Sequence, residues 1–354
     1  MRVALVGCGN IARPYASTVA AIERLELAGA TDIAPERAAA LVDEFGGRSY
    51  ETLDALLADK TIDAIVNLTI PLQHAAVTAA CLDAGKHVHS EKPLARGYDE
   101  ARQLVQRAAS RGLCLSCSPA TLLGEAQQTA WKLIREGAIG TVRAVYAEAN
   151  WGRIEKWHPS PVSLYSVGAL VDVGVYPLTL VTAILGPARR VVAYGTLLQP
   201  DRVTRDGVPF ALEIPDFVVA TLELAGGAVV RLTASFWVEQ YGKQRGIEFH
   251  GDGGSLHLAS WQNFDSPLEL AVDGGGYAPA PLVREPYQGI EWGRAVLELA
   301  DAVAERRPPR ASGEQAAHVV EILSAIDESL QGGGTVEIGS DFPQPTPMEW
   351  ARSS

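Results

Sequence analysis

The sequence predicts two domains: an α/β unit built on a parallel sheet, then an α+β unit with an open-faced, mostly antiparallel sheet. Three observations predict them. A short apolar run at residues 3–6 leads directly into the glycine-bearing turn GCGNIA. Strand-like and helix-like segments then alternate, with Gly- or Pro-marked turns, as far as Pro119. Beyond residue 140 the pattern becomes two-residue alternation broken by Gly-Gly pairs, which reads as hairpins. The expected domains are 1–119 and 120–354, and 354 residues suffice for two domains of about 100–200 residues each.

Residues 3–6 read as a buried parallel strand. The turn that follows has the form G-x-G-x-x-A, in which Gly7 makes the tight turn, Gly9 lets a pyrophosphate approach the backbone and Ala12 packs the helix. Asn10 and Ile11 complete it, so Gly7, Gly9, Asn10, Ile11 and Ala12 are candidate contacts to a dinucleotide at a helix N-terminus. A second apolar segment, 25–30, ends at Asp32, about twenty positions past Ala12, where an acid can accept from adenosine ribose hydroxyls. Ile33 follows rather than Arg, which favours NAD over NADP, although Arg37 is near enough in sequence to serve a 2′-phosphate. Asp32 can equally cap a helix starting at Pro35, and the two roles are compatible.

The next unit is strand 62–71, a helix to Ala84 and a strand segment at 85–90 followed by Glu91-Lys92-Pro93. Thr69, Ile70 and Pro71, and likewise Glu91 and Lys92, are therefore expected at strand C-termini, the edge where open α/β sheets bind ligands. His74 is expected at a helix N-terminus near the cofactor. Lys92 is a candidate for the reaction centre, the alternative being an ordinary surface lysine.

In the second domain, GALVDVGVYPL (168–178) sets Asp172 and Tyr176 four residues apart in an apolar segment. On a helix that spacing puts both on one face. The alternative is an Asp172 cap on a helix from Val173, with Tyr176 a core aromatic. Upstream, the loop 150–166 holds Trp151, Trp157 and His158, and aromatic faces with polar tips suit a polyol substrate. His158 either orients substrate or donates to a backbone carbonyl. A helix is expected at 125–136 and strands at 142–150, 190–198, 217–224, 228–236, 245–250 and 268–272. His318 reads as a surface or interface residue.

A net charge of −12 argues against binding nucleic acid, which needs clustered Lys and Arg. The N-terminal strand leaves no secretory segment, and the longest apolar stretch, 169–185, is interrupted by Asp172 and Pro177, so a cytoplasmic protein without membrane contact is expected. Cys114-x-x-Cys117 lies in a strand-like run with no second ligand pair, so no metal or disulfide is expected.

Taken together, GCGNIA, TDIAPERA (31–38), TIPLQHA (69–75), GKHVHSEKPLA (85–95), GALVDVGVYPL and the closing helical segment 293–323 resemble the Gfo/Idh/MocA oxidoreductases, from residue 1 to about 338. The resemblance implies a Rossmann domain, a substrate domain whose sheet often forms an oligomer interface, and a homodimer or homotetramer. It implies further that Lys92 and the Asp172 segment meet at the nicotinamide. Many members carry His where this chain has Tyr176; a subset has Tyr, and the acid/base role of Tyr176 rests on that subset. Lys92, Tyr176 and Asp172 are the catalytic candidates, and Trp151, Trp157, His158 and Asp172 the substrate-binding ones. The expected activity is NAD(P)-dependent oxidation or reduction of a sugar, cyclitol or sugar-derived alcohol. Two alternatives are a non-catalytic dinucleotide-binding regulator and an oxidoreductase that cycles a bound nucleotide.

Overall fold

The computed structural model describes residues 1–352. Contacts divide the chain into two compact units, residues 1–123 with 290–320, and residues 124–289 with the chain from Glu321 onward.

In the first unit strands and helices alternate: β1 (Arg2–Val6), α1 (Ala12–Ala20), β2 (Glu26–Thr31), α2 (Pro35–Phe45), β3 (Arg48–Ser49), α3 (Leu53–Ala58), β4 (Ala64–Asn67), α4 (His74–Asp83), β5 (His87–Ser90), α5 (Tyr98–Ser110) and β6 (Leu115–Cys117). The strands form a parallel sheet in the order β3-β2-β1-β4-β5-β6, that of a dinucleotide-binding Rossmann fold. β1 and β4 occupy its centre because they are apolar on both faces, and helices cover each side. On α1 the buried residues are Ala12, Tyr15, Ala16 and Val19, one stripe at helical spacing. The strand order reverses between β1 and β4, so the turns after those strands open onto the crevice at the C-terminal edge.

The second unit contains α6 (Glu125–Arg135), β7 (Val142–Asn150), α7 (Pro161–Tyr165), a wide π-type turn (Leu170–Gly174), α8 (Val175–Leu185), β8 (Ala188–Thr196), β9 (Asp201–Val203), β10 (Pro209–Ala211), β11 (Phe217–Leu224), β12 (Val229–Ser235), β13 (Gly246–Gly251), β14 (Gly254–Leu258), β15 (Leu268–Val272) and β16 (Ala278–Pro279). Next in the chain come α9 (Gly293–Glu305), which belongs to the first unit, α10 (Gly313–Gly332) and β17 (Val336–Glu337). The large sheet runs β16-β15-β14-β13-β7-β12-β11-β8-β17, antiparallel except for the β7–β12 pair. Strands β7, β11 and β15 coincide with the expected ranges. β14 was missed because it follows the Gly253 turn directly, and the small β9–β10 hairpin because its strands are only 3 residues long, too short to show alternation.

Alternation gives the sheet two unlike faces. Val145, Ala147, Leu222, Val230 and Phe249 are buried, whereas Tyr146, Val192, Tyr194 and Val229 on the opposite face are exposed. The expected open-faced sheet is therefore present.

Helix α9 packs against α1 within the first unit: the Gly293 N–H donates to Thr18 Oγ1 at 2.6 Å, and a Cβ on Gly293 would lie 2.8 Å from the Thr18 carbonyl carbon. The division between the units falls inside α10. His318, expected at a surface or interface, is instead fully buried on that helix, between Ala317 and Val319, because α10 is apolar on most of its circumference there.

Candidate active site

At the C-terminal edge of the parallel sheet, the turn after β1 is held from two sides. Gly7 has φ +93°, and a Cβ there would lie 2.8 Å from the carbonyl carbon and oxygen of Leu68. Only glycine fits without strain. Gly9 has the opposite environment: nothing lies within 4 Å of a Cβ built on it, and no side chain caps the N-terminus of α1. One oxygen of Asp32 accepts the Cys8 N–H at 2.6 Å and the other the Ala34 N–H at 2.8 Å, so this carboxylate braces both the glycine turn and the entry to α2. Burial and the Asp32 charge push the Cys8 thiol up to about 12, which keeps it protonated and unreactive. Ile33 is entirely exposed and Ile70 is 60% exposed, leaving bare apolar side chains along the same edge. Open backbone at a helix N-terminus, an acid at the end of β2 and uncovered apolar side chains fit a dinucleotide.

His74 opens α4 as expected, but it is buried, with Nδ1 2.7 Å from the Pro93 carbonyl and Nε2 2.9 Å from the Thr69 carbonyl. It ties the turn after β4 to the turn after β5. Asn67, which the sequence reading passed over, shapes the first of these by accepting from Thr69 N–H and Oγ1 and donating to the His74 carbonyl and Thr78.

Beneath Lys92 lies a polar cluster that the sequence reading also missed. Glu91 is buried; its Oε1 accepts from Tyr15 at 2.9 Å and Ser118 at 2.8 Å, and its Oε2 accepts the Lys92 backbone N–H at 3.1 Å. His89 Nε2 lies 3.1 Å from the Tyr15 hydroxyl and Nδ1 2.8 Å from Ser116 Oγ. Burial drives the His89 imidazole down to about 4, so it is neutral at ordinary pH. Glu91, read from sequence as a cofactor contact, is engaged in fixing the backbone that carries Lys92.

In the second unit, Asp172 lies within the wide turn rather than at a helix cap; its N–H donates to the Gly168 carbonyl at 2.9 Å, and Tyr176 follows at the start of α8. Both are half-buried, on either side of the buried run Val173–Val175. Wide turns of this kind recur at functional sites. The Tyr176 ring packs on Trp261, with centroids 4.8 Å apart. From Trp261 a row of rings continues through Trp151 at 5.6 Å and Trp157 at 6.3 Å to His158 at 5.5 Å. Trp261 is buried and donates its indole N–H to the Glu148 carbonyl at 3.1 Å. His158 accepts the Ser160 N–H at Nδ1, at 3.0 Å, instead of donating to a carbonyl, which leaves Nε2 as the donor of the neutral ring. Thus Trp151, Trp157, His158 and Tyr176 are joined in one row, while Lys92 belongs to the first unit. Among the described residues there is no cluster of three His, Cys, Asp or Glu side chains able to hold a metal ion.

The strand order and the open glycine turn of the first unit define a dinucleotide-binding protein, with a second unit built on a large, mainly antiparallel sheet. Residues 1–118 match the profile of the oxidoreductase family with an NAD-binding Rossmann fold, and residues 127–257 match the GFO/IDH/MocA C-terminal domain. The chain belongs to the GFO/IDH/MocA family and is an NAD(P)-dependent oxidoreductase. It is 27% identical to the UDP-N-acetylglucosamine 3-dehydrogenase of Acidithiobacillus ferrooxidans over 94% of this chain and 99% of that protein. It is 36% identical to the dTDP-3,4-didehydro-2,6-dideoxy-alpha-D-glucose 3-reductase of Streptomyces violaceoruber, over 57% of this chain and 59% of the relative. An NAD binding oxidoreductase from Klebsiella pneumoniae shares the fold, with a TM-score of 0.83, 20% identity, and coverage of 96% of this chain and 99% of that one.

Substitution at the two glycines separates folding from binding. Gly7→Ala is expected to cost about 2 kcal/mol or more in urea unfolding. Gly9→Ala should leave stability within about 0.5 kcal/mol yet weaken nucleotide binding roughly tenfold in a fluorescence titration. Unchanged nucleotide affinity in Gly9→Ala would contradict the assigned approach.

The buried imidazole predicts a pH dependence. The folded-state value of about 4 lies below the ordinary 6.5 of the unfolded chain, so the contribution of the neutral His89 is full above pH 6.5 and is lost as the pH falls toward 4. Between pH 7 and pH 5 the native protein should lose about 2 kcal/mol more than a His89→Gln variant. Parallel stability profiles would show that His89 is not held neutral.

Proposed function

We propose that the protein is a dehydrogenase or reductase of a sugar, cyclitol or sugar-derived alcohol, with NAD as the preferred nucleotide. The observation that carries the substrate class is the row of rings ending on Tyr176, with Asp172 one turn away. Aromatic faces suit the C–H surfaces of a sugar, and the phenol, carboxylate and imidazole tips can read its hydroxyls. The two sugar-nucleotide enzymes named above support the same class. For NAD, the support is Asp32, whose charge would repel a 2′-phosphate.

In this reading Lys92 and Tyr176 act on one substrate oxygen. A phenol titrates near 10 in water, and a lysine ammonium beside it favours the phenolate. In the oxidative direction Tyr176 takes the hydroxyl proton while Lys92 hydrogen-bonds the same oxygen and steadies its developing charge. Asp172 orients the lysine or holds a neighbouring hydroxyl. The nicotinamide supplies hydride acceptance and return. Glu91 and its partners keep the Lys92 backbone from shifting.

The bare sheet face supports a homodimer or homotetramer. Tyr194 is 67% exposed there, and the buried Asn150 Oδ1 on the same face has no hydrogen-bond partner among the described residues. Work in the cytoplasm agrees with four unpaired cysteines, and no helix among the described residues is long and apolar enough to cross a membrane.

A panel of sugars, cyclitols and nucleotide sugars, assayed with both nucleotides, tests the substrate class; turnover of none would reject it. With the best substrate, Lys92→Met and Tyr176→Phe should each slow single-turnover hydride transfer about 100-fold or more. Rates near that of the native protein in both would remove the assigned roles.

A further inference from the structure

Strands β8 and β11 are antiparallel neighbours in the large sheet, and such strands can be joined by a turn of a few residues. Here the connection is the long excursion 197–216, which contains the β9–β10 hairpin. Its centre is Arg202, of which 1% of the side chain is exposed. The guanidinium donates to the Gln199 carbonyl at 2.9 Å, to Glu155 Oε1 at 2.9 Å and to Asp216, and lies 5.3 Å over the Tyr165 ring and 4.9 Å over that of Trp237. Asp216 precedes β11 and is itself buried. Glu155 and Tyr165 belong to the loop 150–166, and the Tyr165 hydroxyl donates to Glu155.

The excursion grips this loop at a second point, because the Arg205 N–H donates to the Glu155 carbonyl at 3.1 Å. It also touches the Asp172 segment: a Cβ on Gly168, which has φ +86°, would lie 2.8 Å from Ile214 Cδ1, and the Gly168 carbonyl takes the Asp172 N–H. One insertion thus holds both the loop with Trp151, Trp157 and His158 and the start of the turn with Asp172.

We propose that the 197–216 excursion is a clamp that positions the substrate-binding loop, with Arg202 as its positioning residue and Glu155 as the loop's handle. The inference rests on the reading above that this loop meets the substrate. A buried arginine with a carboxylate on each side sets geometry strictly, since moving either acid leaves charge unpaired out of water. Burying two acids and one guanidinium is an expensive way to secure a surface loop that only needs to pack. It suits a loop whose rings must stay at fixed distances from a reacting group.

The test uses Glu155→Ala, which frees the loop while leaving Arg202 and Asp216 as a balanced pair; Arg202→Met would strand two buried acids and endanger folding. Glu155→Gln, which keeps an acceptor for Arg202 and Tyr165, serves as the rescue. In Glu155→Ala, hydrogen exchange of the backbone amides in 153–166 should speed up about tenfold, KM for the sugar should rise about tenfold with kcat within about threefold, and nucleotide affinity should not change. Glu155→Gln should recover most of both losses. Unaltered exchange would overturn the clamp, and faster exchange with an unaltered KM would overturn its role in positioning substrate. If no panel sugar is turned over by the native protein, the substrate reading fails, and the exchange measurement alone still decides whether Glu155 holds the loop.

Discussion

The close approach of Gly7 to the Leu68 carbonyl sets the geometry of the first unit's binding edge. It presses the turn after β1 against the turn after β4, where the strand order reverses and the sheet opens. With Asp32 holding Cys8 from the other side, the backbone past Gly7 has little freedom, and Gly9 is presented with open space around it. Nucleotide binding then needs no ordering of the turn, which is the energetic meaning of a preformed site. His74 extends the constraint, lying between the carbonyls of Thr69 and Pro93, so the turn after β5 is tied to the turn after β4, which the Gly7 approach in turn holds against the turn after β1.

Both units use one device: a buried carboxylate or guanidinium, partnered on both sides, fixes the segment proposed to carry the chemistry. In the first, Glu91 accepts from Tyr15, Ser118 and the Lys92 N–H. In the second, Arg202 draws together the loop, the hairpin and the start of β11. Such groups add little net stability compared with well-packed apolar substitutes, but losing one partner is costly, and that asymmetry favours a single arrangement.

Features confined to one stretch of chain were legible in the sequence. The strand running into GCGNIA, the acid after β2, the Glu-Lys-Pro turn after β5 and the strands β7, β11 and β15 are local patterns of period and turn chemistry, and all appear where expected. Features assembled from distant segments were not. Tyr15 comes from α1, His89 from β5, Ser116 from β6 and Ser118 from the turn after it, and no spacing in the sequence unites them beside Glu91. Trp261 stands in an irregular loop with nothing to announce that Tyr176 packs on it. The four-residue interval from Asp172 to Tyr176 reads as ordinary helix, whereas the chain makes a wider turn there. His318 misled because a lone histidine is usually taken as a surface group, and only the packing of α10 shows it to be buried.

In the proposed function Lys92 and Tyr176 serve one transition state. A double-mutant cycle on single-turnover hydride transfer measures this directly, using Lys92→Met, Tyr176→Phe and the pair. Groups acting on the same oxygen should give a double variant little slower than the slower single one. Fully multiplicative losses would mean independent roles and would contradict the account.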